Sequence, residues 1–191
     1  MKTLTLTFLL VFMIIGTNIS AQDKNTPEQF GRTLNLGIGI GGYAGYYGYV
    51  GHIVPVFHAD YELNVVRNFT LAPFVSFYTY KNEYYWGDHN TPERYYYYRE
   101  TVIPIGIKGT YYFDQLLNAS PKWDFYLAGS AGFAIVSHTW ESGYDGNRNY
   151  YHDANPLFLD LHAGAEYHIN NKVGVFLDLS TGVSTIGFAI H

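Results

Sequence analysis

The sequence predicts an all-β protein, specifically an eight-stranded antiparallel up-and-down transmembrane β-barrel. Three observations carry this prediction: a segment typical of export, apolar residues at every second position, and short turns that alternate with long loops. Only 14% of the residues are charged, whereas about a quarter is usual in a soluble domain. The absence of cysteine excludes disulfides, thiolate metal sites and cysteine nucleophiles.

The first segment is predicted to serve targeting rather than the fold. An apolar run at 4–15 follows a positive start and leads to a small, polar exit that ends at Ala21. The run is too short for a spanning helix, which needs about 20 residues. We therefore expect a signal peptide at 1–21, a polar lead-in at 22–32 and a barrel domain at 33–191.

The charge of the mature chain indicates which partners to expect. Removing Lys2 from the 11 basic residues leaves 10 against 16 acidic residues, a net charge of −6. There is no basic cluster, so nucleic acid is not expected as a partner. An exported chain without cysteine fits a Gram-negative envelope better than a small secreted scaffold.

Eight runs alternate with period two, and no helical period is sustained. The sixth run is the clearest, because Leu157, Leu159 and Leu161 alternate with Asp160 and His162. The last two runs fit a tilted strand least well, because 172–191 must hold both of them and a turn, and a tilted strand needs about nine to eleven residues. In order, the runs are 34–41, 57–64, 70–78, 100–113, 124–135, 157–168, 172–179 and 184–191.

The connections between these runs differ in length. Short turns are predicted at 66–68 and 170–171, and longer loops at 42–52, 81–94 and 141–155. Such alternation is natural in an up-and-down sheet, because every second connection falls at the same end.

The direction of the apolar face separates a membrane barrel from a soluble sandwich. A membrane barrel turns apolar side chains to lipid and polar ones to its lumen, whereas a sandwich does the reverse. The export segment and the small polar face of the runs favour the barrel. Aromatic residues cluster at run ends, where interfacial belts are expected: Tyr78, Tyr80, Tyr95 to Tyr98, Tyr111 to Phe113, Trp123, Trp140 and Tyr167.

Two prolines lie inside predicted strands. Pro73 is in the third run and Pro104 in the fourth. Since proline cannot donate a ladder hydrogen bond, we expect a bulge or a locally broken pair at each position.

The stretches 103–113 and 186–190, together with the export junction at Ala21, carry a resemblance to a known family. The chain resembles the small outer-membrane β-barrel domain family, the porin-fold group with eight strands. The resemblance implies a place in the bacterial outer membrane, with the lipid bilayer and lipopolysaccharide as partners and the barrel assembly machinery as a partner during insertion. Members usually end on an aromatic residue in the lipid-facing phase, whereas this sequence stops at His191, one residue after Ile190.

An Asp-His-Asp group is predicted inside the barrel. Counting across the turn at 170–171 places His162 opposite Asp178, and Asp160 shares the face of His162. Such a pair serves as general base and orienter in some membrane-barrel hydrolases. The alternative is an ion network that fills the lumen without catalysis.

A second inward set contains a serine. Counting across 66–68 places His58 opposite Ser76, with Asp60 two residues further along the strand. The set suggests a Ser-His-acid arrangement, but its position in mid-barrel favours lumen packing.

The long loops are unusually rich in tyrosine. This composition resembles adaptable binding surfaces, and aromatic faces also suit the stacking of sugar rings. The alternative is that the strands extend above the membrane and the tyrosines pair across them. The candidate ligand-binding residues are Tyr47, Tyr85, Trp86, Tyr96 and Tyr150.

No metal site or cofactor is predicted, since the loop histidines match no known ligand spacing. The favoured function is a non-enzymatic outer-membrane barrel that anchors tyrosine-rich surface loops, for envelope integrity or surface interaction. The alternatives are a barrel-embedded hydrolase acting on lipid or peptide, a narrow passive channel, and a soluble exported β-domain with an apolar ligand.

Overall fold

The computed structural model describes residues 32–42, 55–88, 91–117, 119–146 and 157–191. The predicted signal peptide and nearly all of the predicted lead-in lie outside these ranges. Within them, eight strands and one short helix follow in chain order. Their bounds are β1 Thr33–Gly41, β2 Val56–Val66, β3 Phe69–Asp88, β4 Thr91–Tyr112, α1 Asp114–Leu117, β5 Trp123–Trp140, β6 Leu157–Asn170, β7 Val173–Ser180 and β8 Val183–Ile190.

The strands close into a barrel. Each strand pairs antiparallel with the next one, and β1 also pairs with β8. This seam runs from Leu34 opposite Ile190 to Gly41 opposite Val183, nearly the whole length of both strands. Closure removes the sheet edges, which hydrocarbon does not tolerate. The predicted eight-stranded up-and-down topology is confirmed.

The alternation along β6 shows which face is apolar. Leu159 and Leu161 are 83% and 71% exposed, whereas Asp160 and His162 are only 9% and 8% exposed and point inward. The other strands follow the same rule, with exposed leucines and isoleucines outside. A continuous apolar outer surface around a polar lumen is the arrangement that lipid requires. The chain is a transmembrane β-barrel.

The aromatic belt is smaller than predicted. Tyr111, Trp123 and Tyr167 are exposed near the short turns, as expected of side chains at a membrane interface. Tyr78 and Tyr112, however, are buried in the lumen. Their assignment to the belt was wrong, because alternation sends them to the inner face.

The loop predicted at 81–94 is mostly strand. β3 has 20 residues and β4 has 22, and they remain paired as far as Asp88 opposite Thr91. A tilted strand needs about nine to eleven residues to cross the hydrocarbon. The two strands therefore continue beyond the membrane for about ten residues, or roughly 33 Å measured along the strand. We call this part of β3 and β4, with the end of β5, the extension.

The prolines interrupt the ladders without shifting them. β3 and β4 pair at Val75 with Ile105 and again at Tyr78 with Val102, and the pairing between these points, where Pro104 lies, is missing. On the other side of β3, pairing with β2 is missing near Pro73. Locally broken pairs were one of the two predicted outcomes, and neither proline produces a bulge.

The connection between β4 and β5 contains α1, which has four residues. Across the described ranges, no helix has both the length and the apolar character needed to cross a membrane.

An apolar plug fills the lumen toward the end with the long loops, here called the loop end; the opposite end is the turn end. Phe74 and Phe158 face each other with ring centroids 6.1 Å apart. Gly106 and Gly132 are paired opposite them, and a Cβ on Gly132 would lie 2.7 Å from the ring of Phe158. These glycines therefore make room for the two rings. We call the plug the apolar septum, and its residues are Val56, Phe74, Tyr78, Val102, Ala134, Phe158 and Val183.

Candidate functional site

An ionic network lies in the lumen next to the septum, and Lys108 is at its centre. Its ammonium group donates to Asp60 Oδ2 at 3.0 Å and lies 3.7 Å from Asp178 Oδ2. Lys108 and both carboxylates are at most 5% exposed. β2, β4 and β7 supply these three residues, so one cation joins well-separated parts of the wall.

The first histidine of the network is in the predicted set on β2 and β3. His58 Nδ1 lies 2.7 Å from Ser76 Oγ, and its Nε2 lies 2.9 Å from Asp60 Oδ2. The register of His58 opposite Ser76 is as predicted from the turn at 66–68. The same carboxylate that holds His58 also accepts from Lys108.

The second histidine is His162 on β6. Its Nδ1 lies 2.8 Å from Asp178 Oδ1, and its Nε2 lies 2.9 Å from Ser130 Oγ. The structure thus brings together two of the three predicted residues and adds a serine that sequence analysis missed. The third, Asp160, accepts instead from the hydroxyl of Thr181 at 3.1 Å.

The register behind that prediction was wrong by two residues. Asp178 is opposite Gly164, and His162 is opposite Ser180, because the turn lies at 171–172, one residue later than predicted. A shift of two residues keeps every side chain on its face. The contact between His162 and Asp178 therefore survives as a diagonal one.

The two histidines form Ser-His-Asp relays, but the relays lack access to a substrate. Ser76 and Ser130 are 1% and 5% exposed. A depression of about 540 Å³ near the first relay opens on the outer surface, is lined by Phe57, Val75 and Phe188 among others, and has an almost wholly carbon surface. It suits an acyl chain. His58 and Ser76 also line it, but their side chains face the lumen and Ser76 is buried. The geometry therefore favours a structural ion network.

Acidic groups outnumber basic ones in the described lumen. Lys108 is the one buried lysine or arginine, while seven inward carboxylates are buried. Histidines, tyrosines and hydroxyls contact most of them; for example, Glu62 Oε2 accepts from Thr70 and from Tyr112, both at 2.7 Å. The seven carboxylates belong to Asp60, Glu62, Glu100, Asp124, Asp160, Glu166 and Asp178.

A second cluster of titratable groups lies at the turn end. His191 Nε2 lies 2.8 Å from Glu166 Oε1, and His168 Nε2 lies 2.8 Å from Asp124 Oδ2. Glu166 and Asp124 are buried, while the side chains of His168 and His191 are 24% and 25% exposed. The hydrogen bond to Glu166 raises the pKa of His191. We call these four residues the rim cluster.

Aromatic rings fill the inner side of the extension. Trp140 stacks on Tyr144 with centroids 4.1 Å apart, and Trp86 and Tyr96 meet the same tyrosine edge-on at 5.1 and 5.4 Å. Tyr96 is 1% exposed. Its ring is therefore covered by its neighbours rather than presented to a ligand, which corrects its place in the predicted set.

The outer side of the extension exposes the remaining tyrosines. Tyr85 and Tyr95 are opposite each other and are 53% and 59% exposed. Tyr97 follows on β4, with Lys81 Nζ 3.3 Å from its ring centroid. Of the candidate ligand-binding residues, Tyr85 keeps an exposed ring and Trp86 is half-buried, while Tyr47 and Tyr150 lie outside the described residues.

Glu141 fastens the end of β5 to the extension. Its carboxylate accepts from the Tyr97 backbone N–H at 2.9 Å and from Arg94 Nη1 at 3.0 Å. The backbone hydrogen bond and the guanidinium lower the pKa of Glu141. The carboxylate is thus ionised at neutral pH and holds the extension together as a three-stranded structure.

Comparisons with known proteins show a similarity of architecture only. No known protein family matches the chain, and no curated protein matches it. Solved structures of similar shape include designed transmembrane β-barrels, 16% identical, with a TM-score of 0.44 over 85% of this chain and 98% of that one. Another is Ail, the attachment invasion locus protein of Yersinia pestis, in complex with the heparin analogue sucrose octasulfate: 8% identical, TM-score 0.41, 83% of this chain and 94% of that one. Ail in a phospholipid bilayer nanodisc is 9% identical, with a TM-score of 0.43 over 84% of this chain and 99% of that one.

Proposed function

We propose that this protein is a non-enzymatic outer-membrane barrel, exported by its signal peptide, that holds a rigid extension in the lipopolysaccharide layer of the cell surface. The extension binds the phosphorylated sugars of that layer and so contributes to envelope integrity. The observation that carries the proposal is a pair of like charges on the outer side of the extension.

That pair is Lys81 and Arg99. They are directly opposite each other in the β3–β4 ladder, and both are exposed. Like charges in this position destabilise a sheet unless an anion compensates them. Both side chains lie on the outer face just beyond the lipid-facing Phe77, where the phosphates of lipopolysaccharide would be found. Arginine and lysine are the side chains that bind phosphate best.

The exposed tyrosines continue the same surface. Tyr85, Tyr95 and Tyr97 lie next to the cations and further from the membrane. Their ring faces suit sugars, which stack on aromatic surfaces, while the rings on the inner side of the extension keep it stiff. A stiff platform loses little conformational entropy on binding. This arrangement supports surface interaction as the role of the extension.

The lumen supports neither of the main alternatives. A passive channel needs a wet path, and the septum fills the lumen with apolar side chains such as Tyr78 and Val102, which are at most 1% exposed. A hydrolase needs a nucleophile that a substrate can reach, and Ser130 is buried beside His162.

Charge reversal tests the proposed function. We expect the double variant Lys81→Glu, Arg99→Glu to bind lipopolysaccharide at least about tenfold more weakly than the unaltered barrel, because two charge-assisted contacts to phosphate are replaced by repulsion. The matched control is Arg67→Glu, Lys172→Glu, which makes the same charge change at exposed residues of the turn end. Binding is measured with fluorescent lipopolysaccharide on protein folded in neutral phosphocholine vesicles.

The control also tests orientation. The control variant should bind lipopolysaccharide as the unaltered protein does. Equal binding by the Lys81 and Arg99 variant would contradict the proposed function, and so would loss of binding in the control alone.

A further inference from the structure

We propose that Glu166, His168 and His191 of the rim cluster bind a divalent transition-metal ion, with zinc the best match to their chemistry. One potential ligand atom from each residue lies within 4.8 Å of the others. The three residues lie at the turn end of the barrel, two on β6 and one directly after β8. This inference does not depend on the proposed function of the extension.

The distances are close to those of a loaded site. Glu166 Oε1 lies 2.8 Å from His191 Nε2 and 3.8 Å from His168 Nδ1. Zinc lies about 2.0–2.2 Å from nitrogen and oxygen ligands, so tetrahedral ligands are separated by roughly 3.3–3.6 Å. Shifts of about an ångström or less at the Glu166 contacts would bring these atoms to that spacing.

Each of the two imidazole rings makes a second contact through the nitrogen that does not face Glu166. His168 uses its other nitrogen, Nε2, to contact Asp124 Oδ2 at 2.8 Å, and His191 uses Nδ1 to contact Thr33 Oγ1 at 3.0 Å. Metal-ligating histidines are held in this way in known sites, because the second contact fixes the ring and its tautomer.

The nitrogen of His168 that Asp124 does not hold faces the Glu166 carboxylate. His168 Nδ1 lies 3.8 Å from Glu166 Oε1, while Nε2 contacts Asp124. A separation of 3.8 Å is too long for a hydrogen bond and close to the spacing of two ligands of one zinc ion.

The surroundings favour a positive ion as well. Asp124 and Glu166 are both buried, and histidines lie beside both carboxylates. Elsewhere in the lumen, the positive charge of Lys108 balances two other buried carboxylates, those of Asp60 and Asp178. Two nitrogens and one carboxylate oxygen are typical zinc ligands, and a fourth position would remain for water at the open mouth.

A bound ion would clamp the barrel where its two ends meet. His191 follows β8, Glu166 and His168 are on β6, and Thr33 begins β1. The ion would therefore connect β6 to the β1–β8 seam. Since it binds the folded barrel and not the unfolded chain, it should raise the temperature of unfolding.

Metal titration of the unaltered protein is the first test. Detergent-folded barrel is titrated with zinc chloride alone by calorimetry, and with cobalt chloride while visible absorption is recorded. We expect one ion per chain and intense cobalt bands of a four-coordinate site. Stoichiometric binding that gives only the weak bands of six-coordinate cobalt, or no binding at neutral pH, would overturn the inference.

Variants then assign the ligands. His168→Gln and His191→Gln should each abolish the four-coordinate cobalt spectrum, and Asp124→Asn should weaken binding about 10- to 100-fold. The matched control is His138→Gln: this histidine also lies by a carboxylate, Glu100, at 3.6 Å, but on the loop-end side. Heat-modifiable migration in a gel checks that each variant is folded. Binding that survives in the folded His168 and His191 variants would contradict the assignment, and a variant that fails to fold leaves the cobalt spectrum of the unaltered protein as the deciding result.

Discussion

Replacing Lys108 with methionine is expected to destabilise the barrel by about 3–5 kcal/mol. The change removes the buried cation that contacts Asp60 and Asp178, both 3% exposed, and leaves two buried carboxylates with only their hydrogen-bond partners. Methionine keeps most of the volume of lysine, so the loss reports charge rather than packing. The measurement is the free energy of unfolding in urea, with protein folded in phosphocholine vesicles.

Two further variants make this prediction specific. Lys81→Met removes an exposed lysine from the extension and should cost at most about 1 kcal/mol. Adding Asp60→Asn and Asp178→Asn to Lys108→Met should recover part of the lost stability, because the buried charges leave together. A Lys108→Met variant as stable as the unaltered barrel would mean that the lumen network is not what holds these strands together.

The second large effect is expected from Phe74→Ala in the apolar septum. Phe74 lies 5.7 Å from the ring of His58 and 6.1 Å from that of Phe158, and is 6% exposed. Truncation leaves a cavity that the rigid barrel wall cannot close, so we expect a loss of about 3–5 kcal/mol. The same urea unfolding experiment measures it.

Phe77→Ala is the matched control for the septum. Phe77 is on the same strand but faces outward and is 44% exposed. Acyl chains fill the space that its ring leaves, so only the transfer free energy is lost, about 2 kcal/mol. If Phe77→Ala cost more than Phe74→Ala, the inner and outer faces of β3 would have been assigned the wrong way round.

The faces of the strands were predictable because period two fixes them locally. Leu159 and His162 needed only their own strand to be placed outside and inside. Export and the composition of the polar face then decided between membrane and water. The contact of His58 with Ser76 was predictable too, since the short turn between β2 and β3 allows the register to be counted.

The parts that were missed depend on pairing across long connections or on the exact place of a turn. Ser130 is on β5 and His162 on β6, and the long connection between them gives no register to count from. The turn between β6 and β7 lies at 171–172 instead of 170–171, and this difference of one residue changed the register of β7 by two.

Two other features were predicted only in part or not at all, for reasons of composition and distance. Extension of the strands above the membrane was predicted only as the alternative to loops, and the structure confirms that alternative; tyrosines and charges on both faces hide the alternation between apolar and polar residues there. The rim cluster joins residues on β6 to His191, and only closure of the barrel brings them together. The positions of His168 and His191 at the ends of inward-facing runs indicated that both side chains lie at the barrel mouth. Their partners were not predictable.

The absence of cysteine makes a direct test of the membrane orientation possible. Single cysteines at Leu159, Leu161 and Leu177 carry a nitroxide label, and spin relaxation is measured in vesicles with oxygen, which enters lipid, and with a water-soluble nickel complex. We expect strong relaxation by oxygen and little by nickel at all three positions, because these side chains contact acyl chains. Labels shielded from both reagents would place these leucines in a protein core and would contradict a membrane-spanning barrel with its ionisable groups inside.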